Sequence, residues 1–497
     1  MGESLRRYLL TFLYEVRNSY WFVPAVMTAG AFMLGFLMPV LDAWAGDGWV
    51  GAIPFLTLLS VDGARAMLTT IAGSIIGVAG VTFSIAIAAV SFASGNYGPR
   101  LIGNFMRDRG NQFTLGTFVA AFVYCVVVLR AIHAGTDAAA GESAAAFVPQ
   151  GSIMLAMALM LLSIAVLIFF IHHVPESINI MNIAARIGRD LKTSVHTLFP
   201  DVKDEAARTD EPEREDAPDD EREPTDADDP VMRERGYHAE DALAVRADSA
   251  GYLQQFDLDH LDSVAEGDRL VVRVLVRPGS FVTTQDPVML AWRERGAEGV
   301  ELGDDQRDAL LGCFTIGSER TNFQDILFLV DELVEIAARA LSPGVNDPFT
   351  ANACFDWLRA GLIEFVRRAP DREFETNGNE RVVVFPVSFA RVLSAVMDQS
   401  RQYLASDRNA TLHALSTLAE VGHACRFPEQ RETVLEQMDK LCAAARSALG
   451  DGATDEVNER LRRARKRASE GQSPAKQAME PRPVETVHPP GGDPVAA

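Results

Sequence analysis

The chain has 497 residues, 48% of them hydrophobic, and a formal net charge of -22, which allows two or three domains and either a large core or several membrane spans. Half of that charge lies in residues 201–230, where 15 acids and 4 bases leave a net -11, and the acidity as a whole disfavours nucleic-acid binding. Five cysteines, far apart and without a C-x-x-C pair, signal neither a zinc site nor a disulfide framework.

Residues 5–20 alternate apolar and charged positions at helical spacing and predict an interfacial helix on the inner leaflet. Four charge-free stretches follow, at 21–41, 66–99, 111–129 and 143–171, and each reaches the roughly 20 apolar residues that cross about 30 Å of hydrocarbon. They predict transmembrane spans at about 21–41, 66–93, 112–134 and 151–173. Arg6, Arg7 and Arg17 precede the first span, Arg100, Arg107 and Arg109 fill the second loop, and Arg186, Arg189 and Lys192 follow the fourth span. The first and third loops are acidic, so both termini are expected in the cytoplasm. A second interfacial helix is expected over 178–198, closing a membrane domain at residue 200.

The second span is unusually long and rich in small and hydroxyl residues: Gly73, Ser74, Gly77, Gly80, Thr82, Ser84 and Ser91. Gly73 and Gly77 form a G-x-x-x-G, so helix packing is the first expectation for this stripe. Lining of a water-filled path is the second, since polar groups are tolerated in lipid where they face a cavity. Asp, Glu and Lys are absent from the middle of the spans, which argues against proton-coupled transport. His172 and His173 close the fourth span with no nearby Cys or second pair, so no metal or cofactor is expected.

Residues 201–234 read as an acidic, disordered linker punctuated by Pro212, Pro218 and Pro224. From 235 to 302, short alternating runs broken by Gly-Asp and Pro-Gly turns predict a small β module with the cadence of biotinyl and lipoyl barrel-sandwich domains. Covalent carrier chemistry needs a lysine at a hairpin tip, and none occurs between Met232 and Lys440. Helical periodicity returns over 303–468, followed by a Pro/Gly-rich disordered tail over 469–497. The fold class expected is an α-helical integral membrane protein with four transmembrane helices, a cytosolic small β barrel-sandwich-like module and an α-helical C-terminal domain.

Two loops concentrate polar residues. In R-A-L-S-P-G-V-N-D-P-F-T-A (339–351), Pro343 and Gly344 stop one helix, Asp347 can cap the next and Pro348 occupies its first position. Ser342, Asn346, Asp347 and Thr350 could also hold a small ligand or ion at that helix N-terminus. In G-S-E-R-T-N-F-Q-D (317–325), Thr321 or Asn322 can cap a helix and Arg320 can pair with Asp325. A binding role for Arg320, Thr321, Gln324 and Asp325 requires the two loops to converge. P-loop, G-x-S-x-G, H-E-x-x-H and kinase motifs are missing from the sequence, so no catalytic residue is assigned.

These motifs, with V-A-G-V-T-F-S-I from Val78, S-F-A-S-x-x-Y-G-P-R from Ser91, N-F-M-R-D-R-G from Asn104, G-T-F-V-A-x-F-x-Y-C from Gly116 and S-G-Y-L-Q near Gly251, resemble the bacterial membrane proteins grouped as domain of unknown function 2254. The resemblance spans roughly 10–450 and is most specific at A-L-S-P-G-V-N-D-P-F-T-A. It implies a multi-pass inner-membrane protein with a cytosolic C-terminal region and no assigned activity. The acidic linker and the Pro-rich tail lie outside these motifs. The expected partner is the lipid bilayer, a homo-oligomer is open, and the identity of any small ligand or ion is not legible. Function divides between a pore gated by the cytosolic region and a membrane-anchored sensor or scaffold that does not conduct; an enzyme would need Arg320, Asp325, Asn346 and Asp347 around one cavity.

Overall fold

A computed structural model describes residues 21–45, 60–98, 108–132, 147–199, 232–233, 235–294, 302–368, 375–376, 381–384 and 386–470. The expected N-terminal interfacial helix, the acidic linker and the Pro-rich tail lie outside these residues, as do most of the three loops between the spans. The chain is mostly helical and divides into two compact units, Met1–Ile183 and Ala184–Ala497.

In the first unit, α1 (Phe22–Ala45), α2 (Val61–Tyr97), α3 (Arg109–Ala131) and α4 (Gln150–Ser177) are long and apolar enough to cross a membrane. The central helix is α3, whose most apolar window is 56% buried against 22–28% in the other three. Its buried face, with Phe118, Ala121, Tyr124, Cys125 and Val128, meets Ala31 of α1, Leu68, Ile71 and Ile75 of α2, and Ile153 and Ala156 of α4. Gly116 permits the α1 approach, because a Cβ there would lie 3.3 Å from the Pro24 backbone.

Carboxylates fasten both ends of this bundle. Asp42, near the end of α1, accepts from Gly151 N (3.1 Å), Ser152 N (2.8 Å) and the Ser152 hydroxyl (2.7 Å). Pro149, at the N-cap of α4, makes no side-chain cap bond, so a neighbouring helix supplies the missing acceptor. At the other end Asp108 caps α3 through Asn111 N (3.1 Å) and contacts His173 Nε2 at 2.8 Å on α4.

The second unit begins within α5 (Ile180–Leu198), the helix expected on the inner leaflet. Its apolar face is covered by protein: Gly188 packs under Trp357, Leu191 against Gly361, and Phe199, just past its end, edge-on to Phe365 at 4.8 Å. Ile187, Leu191 and Val195 are each at most 3% exposed, so the apolar stripe of the helix packs against protein.

Next come β1 (Leu243–Arg246), β2 (Gly251–Phe256), α6 (Leu258–Asp268), β3 (Leu270–Val274), β4 (Phe281–Val282), β5 (Pro287–Arg293), α7 (Asp304–Leu311) and β6 (Phe314–Gly317). The helical region follows as α8 (Ile326–Ala340), α9 (Pro348–Arg368), β7 (Glu375–Thr376), β8 (Val382–Val384), α10 (Phe389–Ser406), α11 (Arg408–Ala424), α12 (Pro428–Ala448) and α13 (Asp451–Ser469). The expected barrel does not close. The described strands form a five-stranded sheet, β1-β5-β3-β8-β7, and a three-stranded sheet, β4-β2-β6. The reason lies in pairing: β2 takes β4 and β6, β3 takes β5 and β8, and α6 separates β2 from β3. Strands β6, β7 and β8 come from beyond residue 302, and β8 joins β3 in parallel after a long crossover.

Both faces of the larger sheet are buried. Leu261 and Ala265 of α6 and Leu310 of α7 cover one face; Met232, Tyr237 and Ala242 cover the other around Trp292, whose Nε1 donates to His238 O at 2.8 Å.

The Asp42 cap predicts that Asp42→Ala lowers the stability of the membrane unit by about 1–2 kcal/mol, the usual loss for a helix cap. Thermal unfolding in detergent checks this, with Asp42→Asn expected to fall between wild type and Ala.

Candidate functional site

Most of the polar residues of the 317–325 loop are spent on structure. The Gln324 side-chain amide pairs with the backbone of Phe256, accepting from its N (3.0 Å) and donating to its O (3.1 Å), which mimics one more rung beside β2. Thr321 Oγ1 lies 3.5 Å from Gln254 O, and Gln254 Nε2 donates to Glu319 O at 2.9 Å. The cap of α8 is Asp325, three residues beyond the Asn322 start expected: its Oδ1 accepts from Phe328 N at 3.1 Å.

Arg320 and Asp325 do pair. Arg320 Nε and Nη2 donate to Asp325 Oδ2 at 2.9 and 2.7 Å, and Nη1 donates to Asp331 Oδ2 at 2.7 Å. Gln399 Nε2 of α10 donates to Asp331 Oδ1 at 3.1 Å, and the guanidinium sits 5.6 Å from the centre of the Phe328 ring. Burial pushes the Asp325 carboxyl above its ordinary value, against the opposing pull of Arg320. Burial also works against the Arg320 charge, but Asp325 and Asp331 outweigh it and hold the guanidinium protonated.

Gly279, in the Pro-Gly turn of the β module, has φ +91° and lies against the Asp325 carboxylate, where any Cβ would collide. Gly279 N donates to Leu253 O at 2.7 Å, tying that turn to β2. The cluster is therefore a junction at which β2, the 278–280 turn, α8 and α10 are fixed together. Asp331, Gln399 and Gly279 were not legible as members, since their chain separation hides the meeting; only the Pro-Gly turn was visible in advance.

The 339–351 turn is a separate structure at the opposite end of α8. Fifteen helical residues at 1.5 Å each put about 22 Å between the two loops. Ser342 Oγ donates to Arg339 O (2.6 Å), Asn346 takes φ +50° with its N bonded to Ser342 O (2.9 Å), and Asp347 N donates to Ala340 O (2.7 Å). Asp347 then caps α9: Oδ1 accepts from Phe349 N and Thr350 N, each at 3.2 Å, and Oδ2 accepts from the Thr350 hydroxyl at 2.6 Å. Arg320 and Asp325 thus do not share a cavity with Asn346 and Asp347. The ring of Phe349 projects from this turn, 80% exposed.

All five cysteines are buried, and in the second unit burial pushes the Cys354 and Cys425 thiols up to about 12 and Cys442 to about 11. Among the described residues no group of three His, Cys, Asp or Glu side chains could hold a metal ion. A cavity of about 10 Å³ between α5, α8, α9 and α10, lined by Leu191, Val330, Leu362, Phe365 and Val392, has room for a water-sized body only.

In the membrane unit the small-residue stripe of α2 faces outward. Gly73, Ser74, Gly77, Gly80, Ser84 and Ser91 are exposed, and a Cβ on Gly73, Gly77 or Gly80 would meet nothing within 4 Å. Thr82 alone of the candidates is buried, at 8%. The opposite face carries Leu68, Ile71, Ile75, Ala79 and Ala86 into contact with the bundle. Two residues along a helix is about 200° around it, so Ile75 and Gly77 belong to two seams back to back. The exposed hydroxyls of Thr70 and Ser84 are satisfied within the helix: Thr70 donates to Ala66 O and Ser84 to Gly80 O, each at 2.8 Å.

Arg320→Ala leaves the Asp325 carboxylate buried without its guanidinium and is expected to lower the stability of the second unit by about 3–5 kcal/mol. Arg320→Lys, which cannot reach both carboxylates in the same fork, is expected to lose part of this; chemical denaturation of the two variants in detergent measures both.

A family described as "Predicted membrane protein (DUF2254)" matches residues 17–420. An uncharacterised protein of Mycobacterium bovis is 29% identical over 392 residues, covering 78% of this chain and 69% of the relative. Uncharacterised proteins from two strains of Mycobacterium tuberculosis match over the same extent at the same identity. No solved structure matches the chain. With four membrane-length helices in the first unit and a family match over most of its length, the chain belongs to the DUF2254 family of predicted membrane proteins.

Proposed function

We propose that the protein is a pore-like assembly of several copies of this chain in the bacterial inner membrane, with α2 at the contact between copies and the β-plus-α region controlling it from the cytosol. One observation carries the proposal: α2 has a second seam of Gly, Ser and Ala on the side turned away from its own bundle. Small residues let helix backbones approach closely in lipid, where apolar side chains alone give little reason to associate. Hydroxyls brought together by such an approach can line a hydrated path that the core of one bundle, filled by Leu68, Ile71, Tyr124 and Phe118, has no room for. The arginines flanking the spans support a cytosolic position for both termini.

A second reading, a non-conducting scaffold that captures a ligand or partner through Ser342, Asn346, Asp347 and Thr350, is favoured by Phe349, presented on a turn held by its own hydrogen bonds. Arg320, Thr321, Gln324 and Asp325 fit this reading less well, because their polar atoms already serve the junction.

The five native cysteines are buried, so single cysteines on the membrane surface report cleanly. Ser84→Cys is expected to give a disulfide-linked dimer on mild oxidation in membranes, while Leu161→Cys, 62% exposed on α4, is expected to stay monomeric. Wild-type protein in liposomes is expected to pass small ions. Monomers in detergent with no Ser84→Cys dimer and no flux at any potential overturn the pore; a dimer without flux favours the scaffold.

A further inference from the structure

Several helices of the second unit run the same way and end together. Gly188, Leu191 and His196 of α5 meet Trp357, Gly361 and Glu364 of α9 in that order, the last at 2.9 Å. His413 Nε2 contacts Asp356 (3.1 Å), Arg359 Nη1 donates to Glu420 (3.0 Å) and Arg426 Nη1 donates to Arg367 O (3.1 Å), which sets α11 parallel to α9. Arg408 bonds Glu456, Arg460 Nη1 donates to Ser416 Oγ (2.9 Å) and Gly422 abuts Ala468, which sets α13 parallel to α11. Four C-termini therefore share one end of the helical region.

That end is basic. Arg367 and Arg368 close α9, Arg426 follows α11, and Arg465, Lys466 and Arg467 close α13. Part of this charge has a local reason: each helix C-terminus carries about half a negative charge, about two in all. Glu364 takes Arg368 (2.6 Å), Asp439 takes Arg465 (3.0 Å) and Glu470 lies 4.0 Å from Lys466. The side chains of Arg367, Lys466 and Arg467 nonetheless remain exposed, in a chain whose net charge is -22.

The strongest negative charge of the chain departs from this same end. Phe199 O accepts from Arg368 Nη1 at 3.4 Å, and the net -11 of residues 201–230 follows at once before the chain rejoins the β unit at Met232. Asp201, Asp204 and Glu205 lie within six residues of Phe199, an extended reach of about 20 Å, and two helix-to-helix steps of about 8–10 Å lead from α9 through α11 to α13. A tether of this length holds the segment near the patch at an effective concentration on the order of millimolar.

We propose that the acidic segment 201–230 docks on the basic end formed by α9, α11 and α13, an intramolecular electrostatic contact that occupies Arg367, Lys466 and Arg467. The chain has only five lysines, so Lys466 is a specific reporter. A water-soluble carbodiimide condenses a carboxylate with a lysine amine to an amide, the carbodiimide taking up the water as its urea. With the full-length protein in neutral detergent, mass spectrometry is expected to find Lys466 joined to carboxylates of 201–230 at about 0.05 M salt, with the yield falling about fivefold at about 0.5 M as screening shortens its range. Replacing the 15 acids by Asn and Gln is expected to raise amide hydrogen exchange over residues 460–469, with the rest of the helical region unchanged. Coupling of Lys466 to Glu470 or Asp439 alone overturns the proposal, as does exchange that ignores the 15 replacements. Protection that requires vesicles containing anionic lipid, with or without the acids, also overturns it and assigns the patch to phosphate headgroups.

Discussion

The second unit depends on one buried carboxylate. Asp325 is 3% exposed and does three things at once: it caps α8, receives two bonds from Arg320 and fills the space beside Gly279. Burying a charge in this way is tolerable only when its partners are in place. Arg320 is in turn shared with Asp331, and Asp331 with Gln399, so the charge balance of the β unit is completed by α8 and α10. The β strands and the helices that follow are for this reason one folding problem, although hydrophobic periodicity divides them at about residue 302.

The membrane unit obeys a different economy, because lipid removes the hydrophobic reason for helices to associate. Here α3 supplies the common surface, and Asp42 and Asp108 lock the ends where helix termini need acceptors. In α2 the seam of Leu68, Ile71 and Ile75 is filled by the bundle, and the small seam meets no neighbour among the described residues. A helix with a bulky face filled by its own bundle and a small-residue face outside it is the feature on which the proposed assembly rests.

Much of this was readable in advance. The four spans follow from the absence of charge, and the helix start at Pro348 follows from Pro and Asx capping signals. The Asp347 cap and the Arg320–Asp325 pair were legible because both are local in sequence. What failed was non-local or weakly patterned. Helix α6 has the polar sequence LDHLDSVAEGD, whose Gly-Asp resembles a strand turn, and only the Asp257 cap marks its start. Strand β8 is three residues long and takes its identity from β3, more than a hundred residues earlier. The amphipathic face of α5 was visible, but a periodic apolar stripe is the same whether protein or lipid covers it; Trp357 and Gly361 decide the matter. The direction in which the α2 stripe points is likewise a property of the bundle and not of the helix.

The parallel pairing of β3 with β8 has a consequence during synthesis. Strand β3 lies in the middle of its sheet, yet one neighbour is residues 382–384, which leave the ribosome long after β3 itself. Until then the hydrogen-bonding edge of Leu270–Val274 is open, a row of unpaired amides on a strand with four hydrophobic residues and Arg273. Nascent chains stalled between β5 and β8 would be sticky intermediates, and the cell's demand for chaperones should peak in that window, after the membrane helices have already been inserted.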